Sequence, residues 1–229
     1  MRPMERNEPA YYDNLNTGVL DALPPGADLI LEVGCGAGRL GMEYKKRHPE
    51  ARYYGVEIDP QAAVVAGTRI DMALCGSIDK IDLGFLNDQL DCIVYADVLE
   101  HLIDPWTVLA SHRALLKNGG MVVACIPNIQ HWGVLANLLS GQWTYEDNGL
   151  LDRTHLRFFT LQSIQTMFQE AGLVLDNIVT RSLDPGRAGP FFAAMSSVLP
   201  ALGINEAAFR QQALAFQYLV TARRQDGPS

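Results

Sequence analysis

The 229-residue chain carries 18 basic and 26 acidic side chains, a formal net charge of −8 at pH 7, and this balance speaks against a nucleic-acid partner, since phosphate binding needs a basic surface. Its 48% hydrophobic and 19% charged residues are those of a soluble globular protein with one sizeable core. The N-terminal MRPMERNEPA lacks the apolar centre of a signal peptide, and no uncharged apolar run is long enough for stable membrane insertion.

In chain order, residues 11–23 read as an amphipathic helix closed by Pro24–Pro25–Gly26. Residues 28–33 read as a buried strand that runs into the glycines Gly34, Gly36 and Gly38, a turn where backbone approaches a ligand closely. A helix over 39–47 stops before Pro49, and 52–58 is the second strand. Asp59 caps a helix over 60–68 that has Pro60 in its first turn. Strands follow at 72–76 and 90–95. Asp104–Pro105 opens a helix that ends at Asn118–Gly119–Gly120, and the strand at 121–126 is stopped by Pro127. This βαβαβ order predicts a parallel, doubly wound sheet with ligands at the carboxyl ends of its strands. The glycine turn, Glu57, Ser77 and Asp97 all fall at such ends.

Beyond residue 126 the pattern loosens. A helix over 130–139 precedes a loop over 140–157. Thr160 then caps a helix over 161–172, and 173–180 reads as a strand. A Pro/Gly loop over 182–190 leads to an unusually apolar stretch, 191–204. The last strand is 216–222, before a polar tail. The expected whole is one α/β domain with seven strands. It divides into an N-terminal helical region (1–27), a cofactor-binding half (28–128) and a substrate-binding half with helical and loop cap segments (129–229).

The spacing of the turn narrows its ligand. A dinucleotide site calls for G-x-G-x-x-G; here the spacing is G-x-G-x-G, and Arg39 stands where the third glycine belongs. The acidic Glu32 before the turn suits a cationic ligand better than a pyrophosphate. The segment EVGCGAG resembles the first motif of the class I S-adenosylmethionine-dependent methyltransferases. LDCIVYADVLEHL at 90–102 and LLKNGGMVVACIPN at 115–128 resemble that family's fourth- and fifth-strand segments. The resemblance covers residues 28–128. It implies a Rossmann-like, mostly parallel seven-stranded sheet, S-adenosylmethionine as cofactor, and a cytoplasmic enzyme of a bacterial subgroup. It also implies a cofactor set of Glu32, Gly34, Gly36, Gly38, Glu57 with Ile58, Ser77, Ile78 and Asp97. Glu57 would take the ribose hydroxyls. Relatives often place an acid directly after the glycine of strand three. Ser77 stands there, with Asp79 two residues later.

Methyl transfer to a hydroxyl needs donor and acceptor held in line, and a base near neutral pKa. The candidate bases are His155 first and His101 second, with His131 a third. Asp97, Glu100 and His101 form D-x-x-E-H, close to the E-x-x-E-H of some metal-dependent relatives. Asp97 replaces the first glutamate, so the reading keeps this trio only as a metal alternative and expects no metal. LLDRTHLRFFT at 150–160 packs Asp152, Arg153, His155 and Arg157 between apolar residues, and resembles a signature of bacterial relatives linked to glycan clusters. It serves either substrate contact or an Asp152–Arg157 ion pair that fixes the cap. His131, Trp132 and Trp143 are candidate acceptor contacts, with aromatic core packing as the other use. The apolar stretch 191–204 packs as core, covers the site, forms a homodimer contact or meets a lipid-linked substrate. Cys35, Cys75, Cys92 and Cys125 lack C-x-x-C spacing and read as reduced thiols. The expected partner is a small-molecule or glycan acceptor. Two other functions compete: a non-catalytic S-adenosylmethionine-binding regulator, as resemblance to MetW-like proteins allows, and a nicotinamide oxidoreductase, which Arg39 disfavours.

Overall fold

Strand β1 (Leu29–Val33) has all five residues buried because it runs through the middle of the sheet. It pairs in parallel with β2 (Arg52–Glu57) on one side and β4 (Leu90–Ala96) on the other. The computed structural model, which describes residues 12–183 and 185–225, places β3 (Met72–Cys75) outside β2, and β5 (Leu116–Pro127) beside β4. The antiparallel β7 (Gln217–Arg224) lies between β5 and β6 (Leu173–Arg181). The seven-stranded order is β3-β2-β1-β4-β5-β7-β6, the mostly parallel Rossmann-like sheet expected above.

Alternate residues of the central strands serve opposite faces. Ile30, Cys92, Val94, Val123 and Cys125 pack with Val19 and Leu20 of α1 (Thr17–Ala22), Leu40 and Tyr44 of α2 (Arg39–Arg47), and Ala66 of α3 (Pro60–Ala66). On the other face, Leu31, Val33, Ile93, Tyr95 and Val122 pack with Val108 and Leu109 of α4 (Pro105–His112). Ile164, Met167 and Phe168 of α6 (Leu161–Glu170) complete that layer. Local signals start these helices as predicted: Asp59 Oδ1 accepts from Gln61 N and Ala62 N, and Thr160 and Ser163 form a capping box.

Several elements differ from the expectations. The first helix covers only Thr17–Ala22, because Asn16 caps it by accepting from Val19 N; residue 11 of the expected helix lies outside the described residues. The helix opened at Asp104 stops at His112. Asp88 N and Gln89 N donate to the carbonyls of Ala114 and Leu115 (3.0 and 3.1 Å), which draws the chain into β5 five residues earlier than predicted. Part of the 182–190 loop forms a short 3-10 turn, Pro185–Ala188. The helix expected over 130–139 forms as α5 (Trp132–Leu139), and the apolar stretch becomes α7 (Gly189–Met195) and α8 (Val198–Ala201). Ala188 and Phe192 pack with Phe209 of α9 (Glu206–Leu214), a helix with no sequence expectation. So core packing takes Phe192, while Leu202 and Ile204 stay exposed. Arg223 and Arg224 extend β7 beyond the expected strand. All four cysteines are free, and only Cys75 is exposed. No helix among the described residues is long and apolar enough to cross a membrane.

Candidate active site

The carboxyl ends of β1, β2, β3 and β4 open onto one cavity of about 780 Å³. Its first wall is the glycine turn. Gly34 and Gly36 both have positive φ, 72° and 52°. A Cβ on Gly34 would stand 2.6 Å from Val98 Cγ2, and one on Gly36 would stand 2.6 Å from the Tyr12 carbonyl oxygen. Only glycine fits there without backbone movement. Gly38 differs from expectation: it stands outside the wall, at the N-cap of α2, where a Cβ would come within 3.1 Å of Ala66 Cα.

Glu57, 5% exposed at the end of β2, ties this turn to the next helix. Its Oε2 accepts from Gly36 N at 2.7 Å and its Oε1 from Asp59 N at 2.9 Å. Glu32 is also buried on the wall and accepts from Tyr53 Oη at 3.1 Å. Burial, with a smaller push from the Glu57 charge, raises its pKa to about 8. Ile58, Ser77, Ile78 and Asp79 line the same side, and Ser77 Oγ donates to Asp79 at 3.3 Å. Asp97 lies beyond β4 with φ of 56° and accepts from Gln217 Nε2 at 2.6 Å. Burial lifts its pKa to about 6, against the opposing Arg181 charge.

The opposite wall is built by a single 3-10 turn, Leu99–His101, and the loop packed on it. The Glu100 carbonyl accepts from Leu156 N and Arg157 N, at 2.8 and 3.0 Å. This docks the loop so that the His101 and His155 rings meet edge to face, 4.7 Å apart. His101 Nδ1 lies 3.1 Å from the Thr154 carbonyl, and His155 Nδ1 lies 3.3 Å from the Leu150 carbonyl. A carbonyl only accepts, so each Nδ1 carries the hydrogen toward it. His155 Nε2 stands 4.0 Å from Glu100 Oε1. The Glu100 side chain is 1% exposed, and its Oε2 is buried without a hydrogen-bond partner. Burial, and then the charges of Asp97 and Asp152, push its pKa well up. Glu100, His101 and His155 each bring one ligand atom within 4.8 Å of the others. Asp97 of the sequence-derived metal trio is thus replaced by His155, because Asp97 is held by Gln217.

The cavity therefore brings together Glu32, Gly34, Gly36, Glu57, Ile58, Ser77, Ile78, Asp97, His101, Asp152 and His155. It leaves out five expected acceptor contacts. His131 caps α5 by accepting from Gly133 N, and Trp132 lies tilted against Phe191. Trp143 packs with Phe158 and Tyr145. Arg153 pairs with Asp147 at 2.8 Å. Arg157 donates to the Ile103 carbonyl and lies over Trp106, in place of the expected pair with Asp152, which accepts from Thr154 N. Sequence reasoning missed Tyr12, Asn14 and Asn16, and also Phe216 and Gln217, all on the wall. The strand Gln217 belongs to was legible; that it would sit beside β5 was not.

A Rossmann-like sheet, a cradle without side chains after β1, an acid at the end of β2 and a polar second wall beyond β4 define the class I S-adenosylmethionine-dependent methyltransferase fold. Residues 7–178 match the family model described as "Methyltransferase domain", and the chain belongs to that family. The donor of the family is S-adenosylmethionine, and the nicotinamide reading is overturned by this match. The chain is 30% identical over 103 residues to an uncharacterized methyltransferase of Mycobacterium leprae, covering 44% of this chain and 37% of that protein. It is 26% identical over 153 residues to the ubiquinone biosynthesis O-methyltransferase of Cereibacter sphaeroides, covering 63% of this chain and 59% of that one. The chain thus spans well under two thirds of the length of these relatives. A SAM-dependent methyltransferase from Archaeoglobus fulgidus shares the fold with a TM-score of 0.60 at 13% identity, over 87% of each chain.

Proposed function

We propose that the chain transfers the methyl group of S-adenosylmethionine to a hydroxyl of a small molecule or glycan, with His155 as the general base. The observation that carries this reading is the second wall: a histidine whose Nδ1 is held by the Leu150 carbonyl, with its Nε2 beside a buried Glu100. The similarity to an O-methyltransferase supports the choice of oxygen. We propose a cytoplasmic location as well, consistent with four free thiols.

The site fits the donor. The positive-φ glycines present backbone where a Cβ would collide, and Glu57 offers a carboxylate fixed by two backbone donors. In this reading Glu57 holds the ribose hydroxyls. Ile58, Ile78 and Ser77 border the adenine, and Glu32 and Asp97 face the cationic end. The cofactor half, 28–128, gains Tyr12, Asn14 and Asn16 from the N-terminal region. The acceptor half, 129–229, contributes Asp152 and His155. When bound, S-adenosylmethionine supplies an electrophilic methyl group on a sulfonium. His155 Nε2 would take the acceptor's proton as its oxygen bonds to the methyl carbon and the carbon–sulfur bond breaks, with S-adenosylhomocysteine as the leaving group. Glu100 Oε1, 4.0 Å from that nitrogen, would offset the imidazolium charge in its ionised form. His101, edge-on to His155, fixes the ring and is the second choice of base. Mass-spectrometric analysis of products from paired alcohol and amine acceptors tests the reading. An O-methyl product supports it, and N-methylation alone overturns it.

Glu32 makes donor binding pH-dependent. Its carboxyl is protonated below about pH 8 in the empty site, and a cation beside it favours the ionised form. Binding therefore releases a proton, and affinity rises with pH up to about 8. Calorimetry at pH 7 should give different binding enthalpies in phosphate and Tris, a difference reduced in Glu32→Gln. Equal enthalpies in the two buffers for the wild type would show that Glu32 does not lose its proton.

A further inference from the structure

The charges of the cavity are one-sided. Among its described lining residues there is no Lys or Arg, while Glu32, Glu57, Asp79, Asp97, Glu100 and Asp152 all face it. The nearby guanidiniums stand behind the wall and have their own hydrogen-bond partners. Arg153 pairs with Asp147, Arg157 donates to the Ile103 carbonyl, and Arg181 donates to Asn16. A carboxylate or phosphate on an acceptor would meet a wall that offers acids and, among its described lining residues, no Lys or Arg to pair with it.

Part of the wall on the His155 side is apolar and exposed. Ile103 and Leu156 belong to the wall yet are 68% and 50% exposed. From His155 a chain of ring contacts runs outward: to Phe158 at 6.5 Å, on to Trp143 at 5.4 Å, and to Tyr145 at 6.4 Å. Phe158, Trp143 and Tyr145 are each at least one-third exposed. They lie outside the cavity lining but connect to it through His155, and contiguous apolar side chains left in solvent beside a site are candidate ligand contacts. Here they form a track continuous with the base.

We infer that the acceptor is an uncharged hydroxyl compound whose apolar body leaves the cavity over Ile103, Leu156, Phe158 and Trp143. The inference rests on the hydroxyl-transfer reading for its head group, and on the charge of the wall and the apolar track for the rest. It excludes phosphorylated and carboxylated acceptors. Of the two acids that follow Tyr145 in sequence, Glu146 and Asp147, Asp147 is paired with Arg153, and the ammonium-ended probe reads whether Glu146 receives a cationic tail.

Calorimetry on the protein saturated with S-adenosylhomocysteine tests this without turnover. The probes are phenol, 4-propylphenol and 4-pentylphenol, and 4-pentylphenol analogues ending in a carboxylate or an ammonium. Affinity should rise about twofold per added methylene, roughly half the full-burial value for groups lying on an open track. The carboxylate analogue should bind at least about tenfold more weakly than 4-pentylphenol. Trp143→Ala and Phe158→Ala should flatten the chain-length dependence while leaving S-adenosylhomocysteine affinity unchanged, which shows that the variants are folded. A carboxylate or ammonium analogue binding as tightly as 4-pentylphenol overturns the inference. So does an affinity independent of chain length, or no binding of any alkylphenol. Binding in the expected order without methyl transfer overturns the hydroxyl-transfer reading instead and leaves this inference standing.

Discussion

Replacing His155 by Ala should lower kcat by about 10²- to 10⁴-fold, the range that a positioned general base supplies, while the Kd for S-adenosylmethionine changes less than about twofold. The asymmetry follows from geometry. His155 lies on the loop held by the Glu100 carbonyl, away from the glycine turn, and its Nδ1 is anchored at Leu150. The loss should come with a change in the pH dependence of kcat/KM: the acidic limb that reports protonation of the base disappears. His101→Ala should cost less, since that ring supports His155 by its edge contact. Rates should be unaffected by EDTA. Loss of activity in EDTA, restored by a divalent cation, would instead make the Glu100, His101 and His155 atoms, which lie within 4.8 Å of one another, a ligand set. Equal kcat in wild type and His155→Ala would remove this residue as the base.

Glu57→Ala should weaken S-adenosylmethionine binding by about 10- to 100-fold, the size of a lost charge-assisted hydrogen bond, and lower folding stability by about 1–3 kcal/mol. Both effects come from one carboxylate. It is 5% exposed and accepts from Gly36 N and Asp59 N, so its removal strands two backbone donors. Each further lone pair on the two oxygens is available to a ribose hydroxyl. Glu57→Gln keeps one oxygen as acceptor, so it should recover part of the stability and little of the affinity. Calorimetry and thermal unfolding separate the two losses. An unchanged Kd in Glu57→Ala would contradict the assignment of the ribose to this residue.

The cofactor side was largely legible because its determinants are local. A glycine turn after an apolar run, and an acid ending the next strand, each declare themselves within a few residues. The cap of α3 by Asp59 and the box at Thr160 and Ser163 are of the same kind. The rest of the cavity depends on contacts between distant segments. Tyr12 meets the turn through its carbonyl, which accepts from Ala37 N, and Gln217 reaches Asp97 across 120 positions. His155 and Asp152 declared themselves in the DRTH segment, but the direction of Arg157 did not. Its planar group finds the Ile103 carbonyl and the face of Trp106, a choice set by how the loop docks on Glu100. The α9 helix was missed for a similar reason. Its sequence EAAFRQQAL has little apolar periodicity, and its packing comes from Phe209 meeting Phe191 and Phe192.

The most direct test is a single turnover in which the protein is loaded with S-adenosylmethionine carrying an isotopic label in the transferable methyl group and then mixed with an excess of an uncharged alkylphenol. The account predicts that label appears in an ether product, one equivalent for each S-adenosylhomocysteine formed, at a rate that falls in His155→Ala. Label that remains as bound S-adenosylmethionine, with no acceptor-dependent S-adenosylhomocysteine, would contradict it and make the chain a binding protein for the cofactor.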